Sequence, residues 1–321
     1  MTAIGFALQT GLSTRAEWLD RARKAEDSGF ETLCVADHPG ITASPFVALS
    51  AAAQVTTRIR LATAVANAGV RDVMQLAGDV ATLDVLSEGR AVLGLGAGHT
   101  PGEWTTLGHR YPTALQRVGR LIEVVDALTE LLSGNAVSFD GQHLHLDGAL
   151  LNWPRPIQSS LPILIGGNNR ELVAFGGRVA DIVELTGLGR TLGDGHFHAA
   201  QWSDEAIDER VEIFRTVSGA RSPAPRLSAL VQHVEVTEHR NLAVDRFFDE
   251  LPAPIRASNL PNAEALSHVP FVMIGSTSEL VEELLERRDR WGFTRYTVRW
   301  PDLGQLVPLM RRLDEQGELA T

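Results

Sequence analysis

What most constrains this chain is an alternation repeated four times within its first 100 residues. A short continuous apolar run is followed each time by a stretch whose apolar positions recur at helical spacing. The apolar runs are 4–8, 32–36, 59–65 and 91–95. Between them, Ser13 and Thr14 can cap a helix carrying Trp18, Leu19, Ala22 and Ala25. Residues 45–57 read as an alanine-rich helix and 73–86 as the next. A strand that is apolar at every position is covered on both faces, the condition of a parallel sheet under a layer of helices. Repeated strand–helix units then place the strands side by side and the helices outside.

The alternation pauses and resumes. Val118, Leu121, Val125, Leu128 and Leu132 predict a helix over 115–132. Residues 137–146 alternate apolar and polar around Asp140-Gly141, a hairpin signal. Strands five and six fall at 162–165 and 181–186, each followed by a helix, the first from about 171 and the second over 205–218. The seventh strand is read over 226–236 and the eighth over 294–299. The segment 238–292 carries two or three helices, the clearest at 277–291. Eight strands close an α/β barrel, a (β/α)8 TIM barrel, and 321 residues is a usual length for one. The expectation is one domain over 1–321, with a hairpin excursion near 136–147 and a helical insertion near 238–292. A doubly wound open sheet is the alternative.

Bulk properties narrow the partners. A formal net charge of −11 argues against nucleic acid, which wants a basic patch. The single cysteine, Cys34, lies in an apolar run and reads as core; it excludes a disulfide framework within one chain. No stretch approaches the roughly 18 uncharged apolar residues of a membrane span, and the N-terminus lacks signal-peptide character. A cytoplasmic protein is expected. His143, His145, His196 and His198 show i, i+2 spacing, but no carboxylate or cysteine pattern beside them marks a metal site.

In an α/β barrel the active site lies at the carboxyl ends of the strands. Those ends carry Gln9-Thr10-Gly11, Asp37-His38-Pro39, Asn67-Ala68-Gly69, Gly96-Ala97-Gly98-His99, Gly166-Gly167-Asn168-Asn169, Thr186-Gly187 and Gln232-His233. The run 83–98 shows one unit in full. Asp84, Ser87, Glu88 and Gly89 are read as helix stop and turn, 91–95 as strand. Gly94, Gly96 and Gly98 let the backbone approach another group closely or take positive φ. Their spacing is not the Gly-x-Gly-x-x-Gly of a dinucleotide site, and no Walker Gly-Lys-Ser/Thr occurs. His38, an imidazole beside a carboxylate, suits acid–base work or a bond to a cofactor, and satisfying loop carbonyls is the plain alternative. Gly166 to Asn169 precede a helix whose N-terminus can hold an anion, although a tight turn also needs small residues.

Taken in order, several motifs carry a resemblance. They are Asp37-His38, the run from Thr82 to Arg90 leading into Leu93-Gly94-Leu95-Gly96-Ala97-Gly98, then Pro162-Ile163-Leu164-Ile165-Gly166-Gly167 and Ala180-Asp181. Together they resemble the bacterial luciferase-like superfamily over nearly the whole chain. Asp37-His38 is similar to its deazaflavin-dependent branch, which uses coenzyme F420 and includes glucose-6-phosphate dehydrogenases and methylenetetrahydromethanopterin reductases. The flavin mononucleotide (FMN) monooxygenases of the superfamily more often show Glu-His-His there.

The resemblance implies a deazaflavin ring across the barrel mouth. His38 would sit near the redox carbon as a base or substrate-orienting group, and Asp37 would contact the ring or its tail. A non-proline cis peptide at Ala64–Val65 would buttress the ring, with Asn67 in contact. Ala97, Gly98 and His99, and Gly166, Gly167 and Asn168, would lie around the phosphate and side chain of the cofactor. His99 would be a second proton-transfer group. The sugar-phosphate dehydrogenases carry glutamate where this chain has His99, and tryptophan where it has the stretch 40–44. A sugar phosphate is therefore disfavoured against a secondary alcohol, a carbonyl compound or an enone. The function implied is hydride transfer between the deazaflavin C5 and a small organic substrate. The alternatives are an FMN monooxygenase and a non-catalytic cofactor-binding barrel. An unrelated barrel hydrolase or aldolase lacks the lysine or carboxylate cluster it would need. The family is commonly dimeric, so a homodimer is implied.

Overall fold

The computed structural model describes residues 2–192, 198–256, 258 and 260–320. They group into two compact units, one holding 10–27 and 32–166, the other the rest of the chain. The first strand, β1 (Gly5–Gln9), belongs to the latter.

In the unit built from 10–27 and 32–166, α1 (Arg15–Asp27), β2 (Thr32–Val35), α2 (Pro45–Ala53) and β3 (Arg60–Thr63) follow in order. Then come β4 (Ala66–Asn67), α3 (Val73–Leu86), β5 (Ala91–Gly96), α4 (Pro101–Thr105) and α5 (Ala114–Ser133). The hairpin β6 (Val137–Asp140) and β7 (His145–Ala149) precedes β8 (Ile163–Gly166). Strands β2, β3, β5 and β8 pair in parallel in that order. Every residue of β2, β5 and β8 is buried, as the apolar runs predict. The helix expected over 115–132 is α5, opened by a Thr113–Gln116 capping box and closed by Gly134 at φ 86°.

Two local readings change here. The single strand expected over 59–65 is broken: β3 ends at Thr63, the Ala64–Val65 peptide is cis, and β4 resumes at Ala66 beside the end of β5. Asp84 is not a turn residue. It lies buried inside α3, and its carboxylate accepts from the backbone N–H of Ile157 and Gln158, at 2.7 and 3.0 Å, and from the Gln158 amide. The turn itself is made by Ser87, Glu88 (φ 57°) and Gly89 (φ 83°).

The other unit continues with α6 (Arg170–Val179), β9 (Ile182–Leu185), β10 (Leu188–Thr191), β11 (His198–Ala200) and α7 (Asp204–Ser218). Next are β12 (Arg226–Leu230), β13 (His233–Val236), α8 (Arg240–Glu250), α9 (Ala253–Arg256) and α10 (Ala263–Leu266). The last are β14 (Val272–Gly275), α11 (Thr277–Trp291), β15 (Phe293–Arg299) and α12 (Leu303–Glu315). Its parallel sheet runs β9, β12, β15, β1. The strand expected over 226–236 is two strands, because β13 leaves the sheet to pair in parallel with β14. The segment 238–292 thus contains a strand besides its helices, and α12 had no sequence reading. β15 buries Arg295 completely. Its guanidinium donates to Glu31 Oε1 and Glu184 Oε2, each at 2.9 Å, and Arg226 adds a bond to Glu31 Oε2 at 2.9 Å. Two arginines against two glutamates make this buried charge tolerable.

Each unit contributes four parallel strands with helices between them, the content of a (β/α)8 barrel. Cys34 is buried, as expected. Among the described residues no helix is long and apolar enough to cross a membrane.

Gly94 in β5 is the tightest point of the first unit's sheet. A Cβ there would lie 1.9 Å from the carbonyl oxygen of Thr63, whose hydroxyl bonds the Gly94 carbonyl at 2.7 Å. The obstacle is backbone and cannot swing away. Gly94→Ala is expected to lower the unfolding free energy by at least about 2 kcal/mol. Urea denaturation checks this, and a change within about 0.5 kcal/mol would contradict it.

Candidate active site

The site is built where β2, β4 and β5 end. Asp37 follows β2 and is almost fully buried. Its carboxylate takes both arms of the Arg71 guanidinium, Nε at 2.6 Å and Nη2 at 2.8 Å, and also the backbone N–H of Asn67 at 3.1 Å. The bidentate pair raises the Arg71 pKa, chiefly through the hydrogen bond to Asp37. Arg71 sits just before α3 on a loop that Arg120 pins from α5, donating to the carbonyls of Ala68, Gly69 and Arg71. Asp37 is therefore engaged by protein on both oxygens.

Asn67 is held at every polar atom. Besides its backbone bond to Asp37, its Oδ1 accepts from the Gly69 N–H at 2.9 Å, and its Nδ2 donates to Glu103 Oε2. Gly98, at φ 72°, passes so close that a Cβ would lie 2.2 Å from Asn67 Oδ1. Glu103 comes from α4, which Thr100 precedes and Pro101 opens. The next residue, Trp104, is buried with its ring against Gly69.

His38 completes the cluster. Its Nδ1 lies 2.5 Å from Glu103 Oε1, while its side chain remains 32% exposed against 2% for Glu103. Its backbone N–H donates to Thr42 Oγ1 at 2.9 Å, which closes the loop 38–42. The hydrogen bond to Glu103 is the main cause of a raised His38 pKa; burial opposes it, and the charges of Glu103 and Asp37 add to it. The exposed His99 presents its ring edge-on to His38, with centroids 5.7 Å apart. Tyr111 holds the His99 carbonyl at 2.8 Å.

Other predicted residues fall as follows. Ala64 and Val65 flank the cis bond, where the resemblance pointed, and the Val65 methyls fill the space beside Gly96 and Gly166. Ala97 and Gly98 are half-buried and follow directly on β5. Gly166 ends β8, whereas Gly167 and Asn168 belong to the other unit. There the Asn168 amide donates to Gln201 Oε1 at 2.6 Å, and Arg210 holds the Asn168 carbonyl at 2.7 Å. The anion site anticipated at the start of α6 is partly taken, because the Asn169 side chain accepts from the N–H groups of Glu171 and Leu172. His145 pairs with exposed Asp140, and His196 lies outside the described residues. Among the described residues no group of histidine, cysteine and carboxylates is placed to hold a metal ion.

Glu103 and Arg71 were absent from the sequence reading. Pro101-Gly102-Glu103-Trp104 reads as the first turn of a helix, and nothing local ties it to a histidine 65 positions earlier.

Comparison with known proteins places the chain. The profile of the luciferase-like monooxygenase family matches residues 1–295, and the chain belongs to that family. An uncharacterized protein of Mycobacterium tuberculosis is 35% identical over 173 residues, 47% of this chain and 60% of that protein, so the match spans less than two thirds of the relative. An F420-dependent glucose-6-phosphate dehydrogenase of Microbacterium testaceum is 32% identical over 75% of this chain and 78% of its own length. The structure of an F420-dependent secondary alcohol dehydrogenase in complex with an F420-acetone adduct superposes with a TM-score of 0.73 at 19% identity, covering 97% of this chain and 98% of the other. The fold is the luciferase-like (β/α)8 barrel, as the strand–helix alternation predicts, and not a doubly wound open sheet.

The sign of the His38 shift sets a pH dependence. A histidine whose folded pKa is raised contributes stability that is complete below about pH 6.5 and lost as pH rises through the folded value. Unfolding midpoints of the protein and of His38→Gln, taken from about pH 5.5 to about pH 9, should converge as pH rises. A margin that stays constant or widens would contradict the pairing with Glu103.

Proposed function

We propose that this protein is an F420-dependent oxidoreductase acting on a small alcohol, carbonyl compound or enone, with His38 as its acid–base group. The observation that carries the proposal is the half-exposed imidazole of His38, anchored through Nδ1 on a buried carboxylate at the strand ends. That arrangement leaves Nε2 as the ring nitrogen for a ligand.

The residues present fit a flat redox ring. Beside the cis bond at Ala64–Val65, Val65 packs on Gly96 and Gly166, and the half-buried Ala97 and Gly98 add little side-chain bulk after the end of β5. Ala97, Gly98 and Val65 would lie against the ring, with Asn67 and Asp37 fixing the loop behind it, and His99 would border it. By the resemblance alone, Gly167 and Asn168 would contact the cofactor's tail, Asn168 through its backbone because its amide is bonded to Gln201. When bound, the deazaflavin supplies two-electron hydride chemistry at C5. The chain supplies the proton. His38 Nε2 takes the hydroxyl proton of an alcohol, or gives one to a carbonyl oxygen, and its raised pKa suits the second role. The relatives that use F420 support this reading of the cofactor. Membership of a monooxygenase family keeps FMN as the second reading.

Fluorescence titration of the apo-protein with F420 and with FMN separates the two. Micromolar binding of F420 is expected; micromolar FMN binding without F420 binding would overturn the proposal. With an alcohol or ketone that supports turnover, His38→Ala should lower the rate by ~10²–10⁴-fold. An unchanged rate would remove His38 from the mechanism.

A further inference from the structure

We propose that Glu103 is the positioning residue of this site: it fixes His38 with the hydrogen on Nδ1, so that Nε2 is the nitrogen that exchanges a proton with substrate. The role of Nε2 rests on the function proposed above; the fixing of the tautomer does not.

A carboxylate only accepts hydrogen bonds, so the 2.5 Å contact between Glu103 Oε1 and His38 Nδ1 requires the hydrogen on Nδ1. Glu103 is also expensive to place here. Its side chain is 2% exposed, and a buried anion must be matched by donors or an opposite charge. Its described donors are His38 Nδ1 and Asn67 Nδ2. The Asn67 amide cannot turn, because Gly69 holds its oxygen and Gly98 leaves no room beside it. Its backbone is fixed in turn by Asp37, itself gripped by Arg71. A continuous line therefore runs from Arg71 through Asp37, Asn67 and Glu103 to the imidazole.

The charged and titratable groups facing His38 are Glu103 from α4, Asp37 from its own loop, and His99 from the segment between β5 and α4. Arg71 stands behind Asp37 and offsets its charge. Glu103 is the one that bonds to the ring, itself buried while the ring stays half-exposed.

The test uses the apo-protein first. The ring of His38 is titrated by NMR, with its resonances assigned through His38→Gln and its tautomer read from the nitrogen shifts. Glu103→Gln keeps the shape but has one carbonyl oxygen to serve two donors. It should lower the His38 midpoint by about one pH unit or more and loosen the Nδ1–H preference. An unchanged midpoint and tautomer in folded Glu103→Gln would overturn the proposal. If that variant does not fold, Glu103→Asp withdraws the charge by one methylene, and the same unchanged result would overturn it. With F420 and substrate, Glu103→Gln should reduce kcat about tenfold to hundredfold with little change in KM, and its pH profile should move with the NMR midpoint. A merely structural role would lower the unfolding temperature and leave that profile in place. Failure of the wild-type protein to bind F420 would sink the functional reading alone, since the apo-protein titration needs no cofactor.

Discussion

The buried carboxylate of Asp37 is the constraint on which the rest of the site depends. An anion this deep is tolerated only with a matched partner, and the Arg71 fork with the Asn67 N–H provides one. Removing one member of such a pair costs about 3–5 kcal/mol, because the other is left charged and dry. The pair joins the loop after β2 to the loop before α3, and so decides where β4 lies. Asn67 ends β4, and its side chain can reach Glu103 only from that position. The orientation of His38 is thus inherited from an ion pair that need never touch a ligand.

The fold was legible wherever an apolar run stayed in one sheet. Residues 73–86 and 91–95 became α3 and β5 almost without change. Hydrophobic pattern reports burial, however, and not the sheet in which a run is buried. The run 226–236 is divided because β13 pairs with β14, and β14 itself, four residues among helices, gave no periodic signal. The run 59–65 is divided by a cis peptide that no pattern of side chains announces. Arg295 sits inside β15 because Glu31 and Glu184, 264 and 111 positions away, neutralise it.

The site was legible in half. Asp37 and His38 stand out because they are polar residues at the end of a buried strand. Arg71 and Glu103 do not, since each acquires meaning only from a partner distant in sequence. The glycines also shift in meaning. Gly94 and Gly98 read as places of close backbone approach, and the groups approached are the Thr63 carbonyl and the Asn67 side chain. Gly94 is small for the sheet and Gly98 for the support of the site, which leaves Ala97 and the backbone around it as the surface a ring could approach.

What separates Glu103 from the carboxylates paired with arginine is the kind of cation it faces. Glu31 and Glu184 face Arg226 and Arg295, and Asp37 faces Arg71; a guanidinium stays charged at any pH at which the protein is folded. Glu103 faces an imidazole instead. Its neutralisation is therefore conditional on a proton that can leave, and when it leaves the buried anion keeps only neutral donors. The cost of that state falls on the Glu103–His38 pair and raises the affinity of His38 for the proton. A purely structural carboxylate would gain from a permanent cation in that place. An exchangeable one, half-exposed at the strand ends, is what proton transfer to a bound substrate requires.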